Sequence, residues 1–384
     1  MDNYPFAYDR LEEFYRKYPN LRLAEFVEPD SPVLLDELDL LFKNAGEIEI
    51  PQAIVNQVTG KEEWDGELVA AYLEENRELI QKLLEISKYD TRPSRFRYQL
   101  NEETPEIWQA RTAFRLLHLN MLHHLRTDNR EQAGEMMGAL LQFQEASSGP
   151  FLIHSLVGNS YQKQLGANLI ELAREAMDVR EFSERLENYS SREAIAGGLK
   201  MEFGSLISLI EAAKKVGDQS EVGERVRSMF MGGTHLDGSK LSENERMLIE
   251  EEVKNFNLDE LQENYARVLS GLVDALPRTD DDESMAEADP RMNISHYQFS
   301  LGQEMMLSAM VPQVNSIALQ IVKVEQTNRE LQIWNALNQA SSAGSRPAEL
   351  SELVPNFLQE VPINPVTQEP FVLDSEAWTL EAGE

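Results

Sequence analysis

The segment Gly233-Thr234-His235-Leu236-Asp237-Gly238-Ser239-Lys240 comes nearest to a nucleotide site, because two glycines at this spacing could leave backbone N–H groups free to cradle a phosphate. A phosphate-binding loop needs lysine followed by serine or threonine, and a strand ahead of it. Here the order is Ser239-Lys240 behind a helical pattern, so the segment reads as a linker. His118, His123 and His124 fall on one predicted helix. A helix offers two imidazoles to one metal at i and i+4, and these three do not have that spacing, which predicts surface or boundary positions for them. His154 is expected to be a core or interface histidine rather than a base. No serine stands in a Gly-x-Ser-x-Gly elbow, so a nucleophile triad lacks its first member.

With 67 Asp and Glu in the chain, a carboxylate pair near glycosidase spacing arises by abundance alone and carries no information. Glu202 stands apart because it lies between Met201 and Phe203 on an apolar helix. Burial there would raise its pKa and make it a general acid, whereas at the helix edge it would be an ordinary solvated glutamate. Asp280, Asp281, Asp282 and Glu283 lack the alternating ligand spacing of a calcium loop and read as a solvated acidic run. Met136, Met137, Met305, Met306 and Met310 would suit an adaptable binding groove, but the same helical spacing is typical of core methionines. No catalytic, cofactor-binding or metal-ligating residue is assigned on these grounds, and no cofactor is expected.

Composition narrows the partners. The 67 acidic residues outnumber 35 Lys and Arg, for a formal net charge of -32, and such a field repels nucleic acid and anionic bilayers alike. A protein partner is expected, since stacked helical arrays commonly bind partners on a concave face. The absence of cysteine removes disulfides, thiolate metal sites and a cysteine nucleophile. No stretch approaches the roughly 18 apolar residues that cross a bilayer, and Met1-Asp2-Asn3-Tyr4-Pro5 has neither the basic nor the apolar part of a signal peptide. The chain as written is expected to be soluble, without direct insertion into a membrane.

Helices have to position whatever site exists. Ser31-Pro32 and Thr104-Pro105 each pair a capping hydroxyl with a first-turn proline, and Gly46 stops the earlier of the two helices. From Asp65, Leu68, Tyr72, Leu73, Leu79, Ile80, Leu83 and Leu84 recur at nearly 3.6 residues and predict one amphipathic helix. Asp128 with Glu131, Asp178 with Glu181, Ser190 with Glu193 and Ser242 with Glu245 are capping-box patterns; Gly149-Pro150, Gly217 and Pro277 are stops. A long helix is predicted from about Leu301 to Ala340, kinked at Pro312, with Val314, Ile317, Ile321, Val324, Leu331 and Trp334 in one stripe, as a strut. Prolines then punctuate an extended tail, with a small β-hairpin around Pro370 to Leu380. The predicted fold is all-α: stacked antiparallel helical hairpins in a superhelical array, a long C-terminal helix and a short extended or hairpin tail. Its segments are 1–100 (N-terminal helices), 101–278 (hairpin core), 279–290 (acidic loop) and 291–384 (long helix and tail).

Three blocks carry a resemblance. They are Ala70-Ala71-Tyr72-Leu73-Glu74-Glu75-Asn76; the run from Ala110 through Arg126-Thr127-Asp128-Asn129 to Ser155-Leu156-Val157-Gly158; and Pro347-Ala348-Glu349-Leu350-Ser351-Glu352-Leu353-Val354-Pro355, continuing through Phe357-Leu358, Val361-Pro362-Ile363-Asn364-Pro365 and Glu369-Pro370-Phe371. Together they resemble an uncharacterised family of bacterial envelope proteins with an N-terminal membrane anchor, a helical, tetratricopeptide-like ectodomain and a proline-rich end. The last block is also similar to the end of type II secretion pseudopilins. Family members usually show Asp where this chain has Asn364, which weakens any calcium site carried over, and they begin with an anchor, so the chain reads as an ectodomain. The resemblance implies a periplasmic or envelope-exposed location, with cytoplasmic as the alternative, and transfers no catalytic residue. The expected function is a non-catalytic interaction or scaffold protein of the envelope. The alternatives are an all-α hydrolase using groove carboxylates such as Glu202, and a structural subunit that assembles through the long helix.

Overall fold

In the computed structural model the described residues are 7–22, 32–45, 50–59, 61–91, 105–147, 152–175, 177–187, 189–216, 257–278, 285, 289–297, 299, 307 and 314–382. They form helices α1 (Tyr8–Lys17), α2 (Leu34–Ala45), α3 (Gln52–Val58), α4 (Gly66–Glu75), α5 (Arg77–Ile86), α6 (Pro105–Arg126), α7 (Arg130–Ser147), α8 (Leu152–Arg174), α9 (Arg180–Glu187), α10 (Ser191–Val216), α11 (Leu258–Ala275) and α12 (Val314–Ser342). A two-stranded antiparallel hairpin, β1 (Phe371–Asp374) and β2 (Thr379–Ala382), is the sheet among these residues, so the fold is all-α with a short hairpin tail. No helix among the described residues is long and apolar enough to cross a membrane.

The chain divides into two compact units that cut across the sequence segments 1–100, 101–278, 279–290 and 291–384. The first comprises Met1–Phe26, Ile195–Pro277 and Glu287–Leu319; the second comprises Val27–Ala194, Arg278–Ala286 and Gln320–Glu384.

In the first unit, side chains of α1 reach α11 from far away in sequence: Arg10 bonds to Gln262 and Lys17 pairs with Glu263. Phe14 meets Phe203 edge-on at 5.6 Å, and Phe203 stacks near Tyr265 at 6.3 Å. Beside these rings a polar network is closed on itself. Gln262, fully buried, accepts from Arg10 Nε (3.2 Å) and Lys214 Nζ (3.1 Å) and donates to Glu211 Oε1 (2.9 Å). Lys214 also reaches Glu211 and Asp259. A buried amide costs little when each of its polar atoms is paired in this way. Asn257 caps α11 by accepting from the backbone N–H groups of Asp259 and Glu260.

The second unit is built on α6, α7 and α8, which follow one another as neighbours, with α2, α4 and α5 against α6 and with α9 against α7 and α8. Its cap chemistry follows the sequence in part. Ser190 accepts from Glu193 N at 3.2 Å and opens α10 as expected. Asp128, by contrast, is not a cap. It sits at φ 57°, while Asn129 N bonds back to His124 O, so Asp128 closes α6 with a left-handed residue and α7 begins one step later. The helix expected from Asp65 is interrupted at Asn76, whose side chain bonds to Tyr72 O, and Val69 rather than Leu68 faces the core. Ser31, Gly46, Gly149-Pro150, Gly217, the Ser242–Glu245 box and Pro312 lie outside the described residues.

Helix α12 differs most from expectation. From Gln320 to Ala340 none of its residues is exposed, so it is an interior helix and not a strut. Its apolar side chains fill the core, and several of its polar ones find partners. Asn335 Nδ2 donates to Ser183 Oγ at 2.6 Å, Asn338 Nδ2 donates to Ala173 O at 2.9 Å, Glu330 pairs with Arg174 at 3.3 Å, and Arg329 bonds to Glu325 and to Ile363 O. The faces an assembling helix would need over this stretch are already covered.

Candidate functional site

Four elements of the second unit converge on one recess. On α6, Leu122 and Arg126 are four residues apart and share a face; on and just beyond α8, Asn168, Glu171 and Glu175 repeat at three and four and share another. Helix α3 supplies Gln57, and the segment Lys61–Trp64 leads into α4, whose start is fixed by Asp65 accepting from Glu67 N and Leu68 N. Gln57 Oε1 accepts from Asp65 N at 2.8 Å and ties the two together. The enclosed space is an open recess of about 420 Å³.

Arg126 is the centre of its electrostatics. The guanidinium lies 5.1 Å from the Trp64 ring centroid, donates to both oxygens of Glu175 (3.2 and 3.0 Å) and reaches Glu171 at 3.5 Å. A planar cation held on an aromatic face and between two carboxylates is a well-suited arrangement for guanidinium. Glu62 accepts from Asn56 Nδ2 at 2.7 Å, and Glu62 and Glu63 are exposed. Asn168 is 8% exposed; its Nδ2 donates to Val58 O at 3.2 Å, and its Oδ1, itself sealed from solvent, has no partner among the described residues.

A second, much tighter crevice of about 10 Å³ lies among Ile50, Ile54, Val55, Val58, Arg115, Leu119 and Gln164, room for about one water molecule. Burial and the neighbouring Arg111 both lower the Arg115 pKa.

The histidines divide. His118 is expected at the surface or a boundary and is instead fully buried, edge-on to Phe114 at 5.6 Å, with no partner among the described residues for either ring nitrogen. Loss of hydration pushes its pKa down to about 3, so it is a neutral core side chain. His123 and His124, at the far end of α6, are partly buried, with pKa values lowered by that burial. His154 is buried, as expected, and burial lowers it to about 4. Among the described residues no three His, Asp or Glu side chains converge as metal ligands. Met136 and Met137 are core residues, while Met305, Met306, Met310, the glycine-rich segment 231–240 and Asp280–Glu283 lie outside the described residues.

Acid sensitivity follows from His118. Its folded pKa lies below the unfolded value of 6.5, so the unfolded chain takes up a proton first, and stability is lost as pH falls from about 6.5 towards 3. Linkage puts the His118 contribution at about 2 kcal/mol by pH 5. Urea denaturation at pH 7 and pH 5 should therefore show a loss smaller by about that amount in His118→Phe than in the parent. Equal losses in both proteins would disprove the burial argument.

Glu202 is half-buried on α10 in the first unit, where its charge adds to burial in raising the Tyr265 hydroxyl pKa. It lines neither the recess nor the crevice. Among the described residues the carboxylate that burial raises is Glu330, which faces the Arg174 guanidinium. The recess residues were not singled out from sequence. Leu122/Arg126 and Asn168/Glu171/Glu175 have the required spacing, but nothing along the chain says that those two faces meet Trp64.

No family model, no curated protein and no solved structure matches the chain.

Proposed function

We propose that this chain is a non-catalytic interaction or scaffold protein of the bacterial cell envelope, and that the recess beside Trp64 and Arg126 receives its partner. The observation that carries this reading is the open shape of the recess together with its lining of exposed charged groups. An acid–base site needs a carboxylate shielded from water and matched with a second group across a reacting bond. The recess carboxylates are instead solvated or engaged with Arg126, which suits recognition of a polar surface. The envelope location follows from the resemblance of the three sequence blocks. Against the hydrolase alternative, Glu202 lines neither the recess nor the crevice.

A photo-crosslinking residue placed at Glu63, compared with one at the exposed Glu376, tests the reading in the native envelope. One discrete protein adduct at position 63 and none at 376 is the expected result. Identical adduct patterns at both positions would refute a partner site at the recess.

A further inference from the structure

We propose that the turn at residues 363–369 of the C-terminal tail is a cation site filled from within: the Arg329 guanidinium of α12 supplies the positive charge, and the turn takes no divalent metal.

The similarity of the tail to pseudopilin ends carries the expectation of a calcium loop near Asn364. The residues present do not fit one. Calcium collects roughly six to eight oxygen ligands, carboxylates prominent among them. Glu369 is the one carboxylate within 363–369, and it is exposed. Other oxygens of the turn already accept from N–H groups of the protein. Asn364 O accepts from Gln368 N (2.8 Å), Asn364 Oδ1 from Val366 N (2.9 Å), Pro365 O from Gln368 Nε2 (2.9 Å) and Glu369 O from Asn364 N (2.8 Å). The bond from Val366 fixes the amide orientation of Asn364, which is buried, so its sealed Nδ2 adds one more donor to the turn and no ligand oxygen.

The positive charge arrives from α12. Arg329 Nη1 donates to Ile363 O at 2.8 Å, and Arg329 Nε donates to Glu325 Oε1 at 2.8 Å. Both side chains are largely buried, at 12% and 17% exposure, so the pair is poorly screened. A carbonyl that already faces a guanidinium is a poor ligand for a second cation, because like charges on one oxygen repel strongly at this depth. Ile363 pairs with Pro370 across the turn, and Pro370 leads directly into β1. Arg329 thus ties the root of the hairpin to the interior helix, and the hold on the tail is permanent rather than set by calcium concentration.

Hydrogen–deuterium exchange of the full chain, in about 1 mM calcium or an equal amount of EDTA at constant salt, tests this locally. A local readout is needed because a chain of net charge -32 gathers loosely held calcium elsewhere. The expected result is exchange at 362–371 that agrees within about twofold between the two solutions. It should speed up by about tenfold or more in Arg329→Gln and by less in Arg329→Lys, with α7 unchanged. Circular dichroism melts check that the variants fold alike. Calcium slowing the turn by more than about threefold in the parent would overturn the proposal. So would unchanged exchange in Arg329→Gln, or exchange in Arg329→Lys as fast as in Arg329→Gln, since positive charge would then not be what holds the turn. Asn364→Asp supplies a carboxylate and leaves Arg329 in place, so calcium should still not protect its turn. Protection there would also overturn the proposal, and that comparison does not depend on whether Arg329→Gln folds.

Discussion

Trp334→Ala lowers the unfolding free energy of the second unit by about 3–5 kcal/mol, the range for emptying a fully enclosed aromatic site. Trp334 is completely buried on α12, with the Arg174 guanidinium 5.3 Å from its ring centroid and Trp378, beside the terminal hairpin, at 6.2 Å and 69°. The indole is thus packed by α8 on one side and by the C-terminal tail on another. Its removal leaves a hole bordered by parts of the chain that cannot all close in. Urea titration followed by far-ultraviolet circular dichroism measures the loss, and Trp334→Phe, which keeps an aromatic ring, should lose less. A loss below about 1 kcal/mol for the alanine variant would mean that α12 is not the interior helix described here.

Gly166→Ala should destabilise by about 1–3 kcal/mol, although glycine-to-alanine in a helix ordinarily gains up to about 1 kcal/mol. The reason is a close crossing of α8 and α12: a Cβ on residue 166 would lie 2.5 Å from Thr327 Cγ2. Thr327 is β-branched on a helix, and its hydroxyl donates to Lys323 O at 2.9 Å, so the methyl has no easy rotamer to escape into. Thr327→Ser removes that methyl and keeps the hydroxyl. The double variant Gly166→Ala/Thr327→Ser should therefore recover most of the loss, with a coupling of about 1 kcal/mol or more. Gly138 on α7 provides the opposite sign, because a Cβ there meets nothing within 4 Å among the described residues. Gly138→Ala should be neutral or slightly stabilising in the same denaturation experiment. Matching effects at positions 138 and 166 would show that helix propensity, and not the crossing, governs both.

Legibility from sequence follows a physical line. Pro105 at the start of α6, the Ser190 hydroxyl at the start of α10, Pro277 beyond α11 and the hairpin near Pro370 all act through bonds within a few residues, and each stands where the local pattern puts it. Errors arose where a local signal had two solutions. Asp128 can cap a helix or turn left-handed, and the backbone bond from Asn129 to His124 O selects the turn. Asn76 looks like one more polar residue of a continuous helix, yet its amide takes the Tyr72 carbonyl and α5 starts afresh.

The candidate site was less legible than the fold. The spacing of His118, His123 and His124 excludes a shared metal and reads as surface or boundary placement; only the packing of α6 shows that His118 is sealed in beside Phe114, where an uncharged imidazole is tolerated. The length of the predicted helix suggests a strut, but Asn335, Asn338, Glu330 and Arg329 of α12 find partners 34 to 165 residues away along the chain. A side chain's type does not encode partners at such separations.

The amino-acid order alone determined that this chain is helical, where many of its helices start and stop, and that its surface is strongly acidic, because caps, breakers, 3.6-residue periodicity and net charge are short-range or additive properties. Tertiary structure decided which faces are interior, why α12 is enclosed, and that Trp64, Arg126, Asn168 and Glu175 border one recess. Those outcomes depend on burial and on pairings between distant segments, and both come into being when the helices pack.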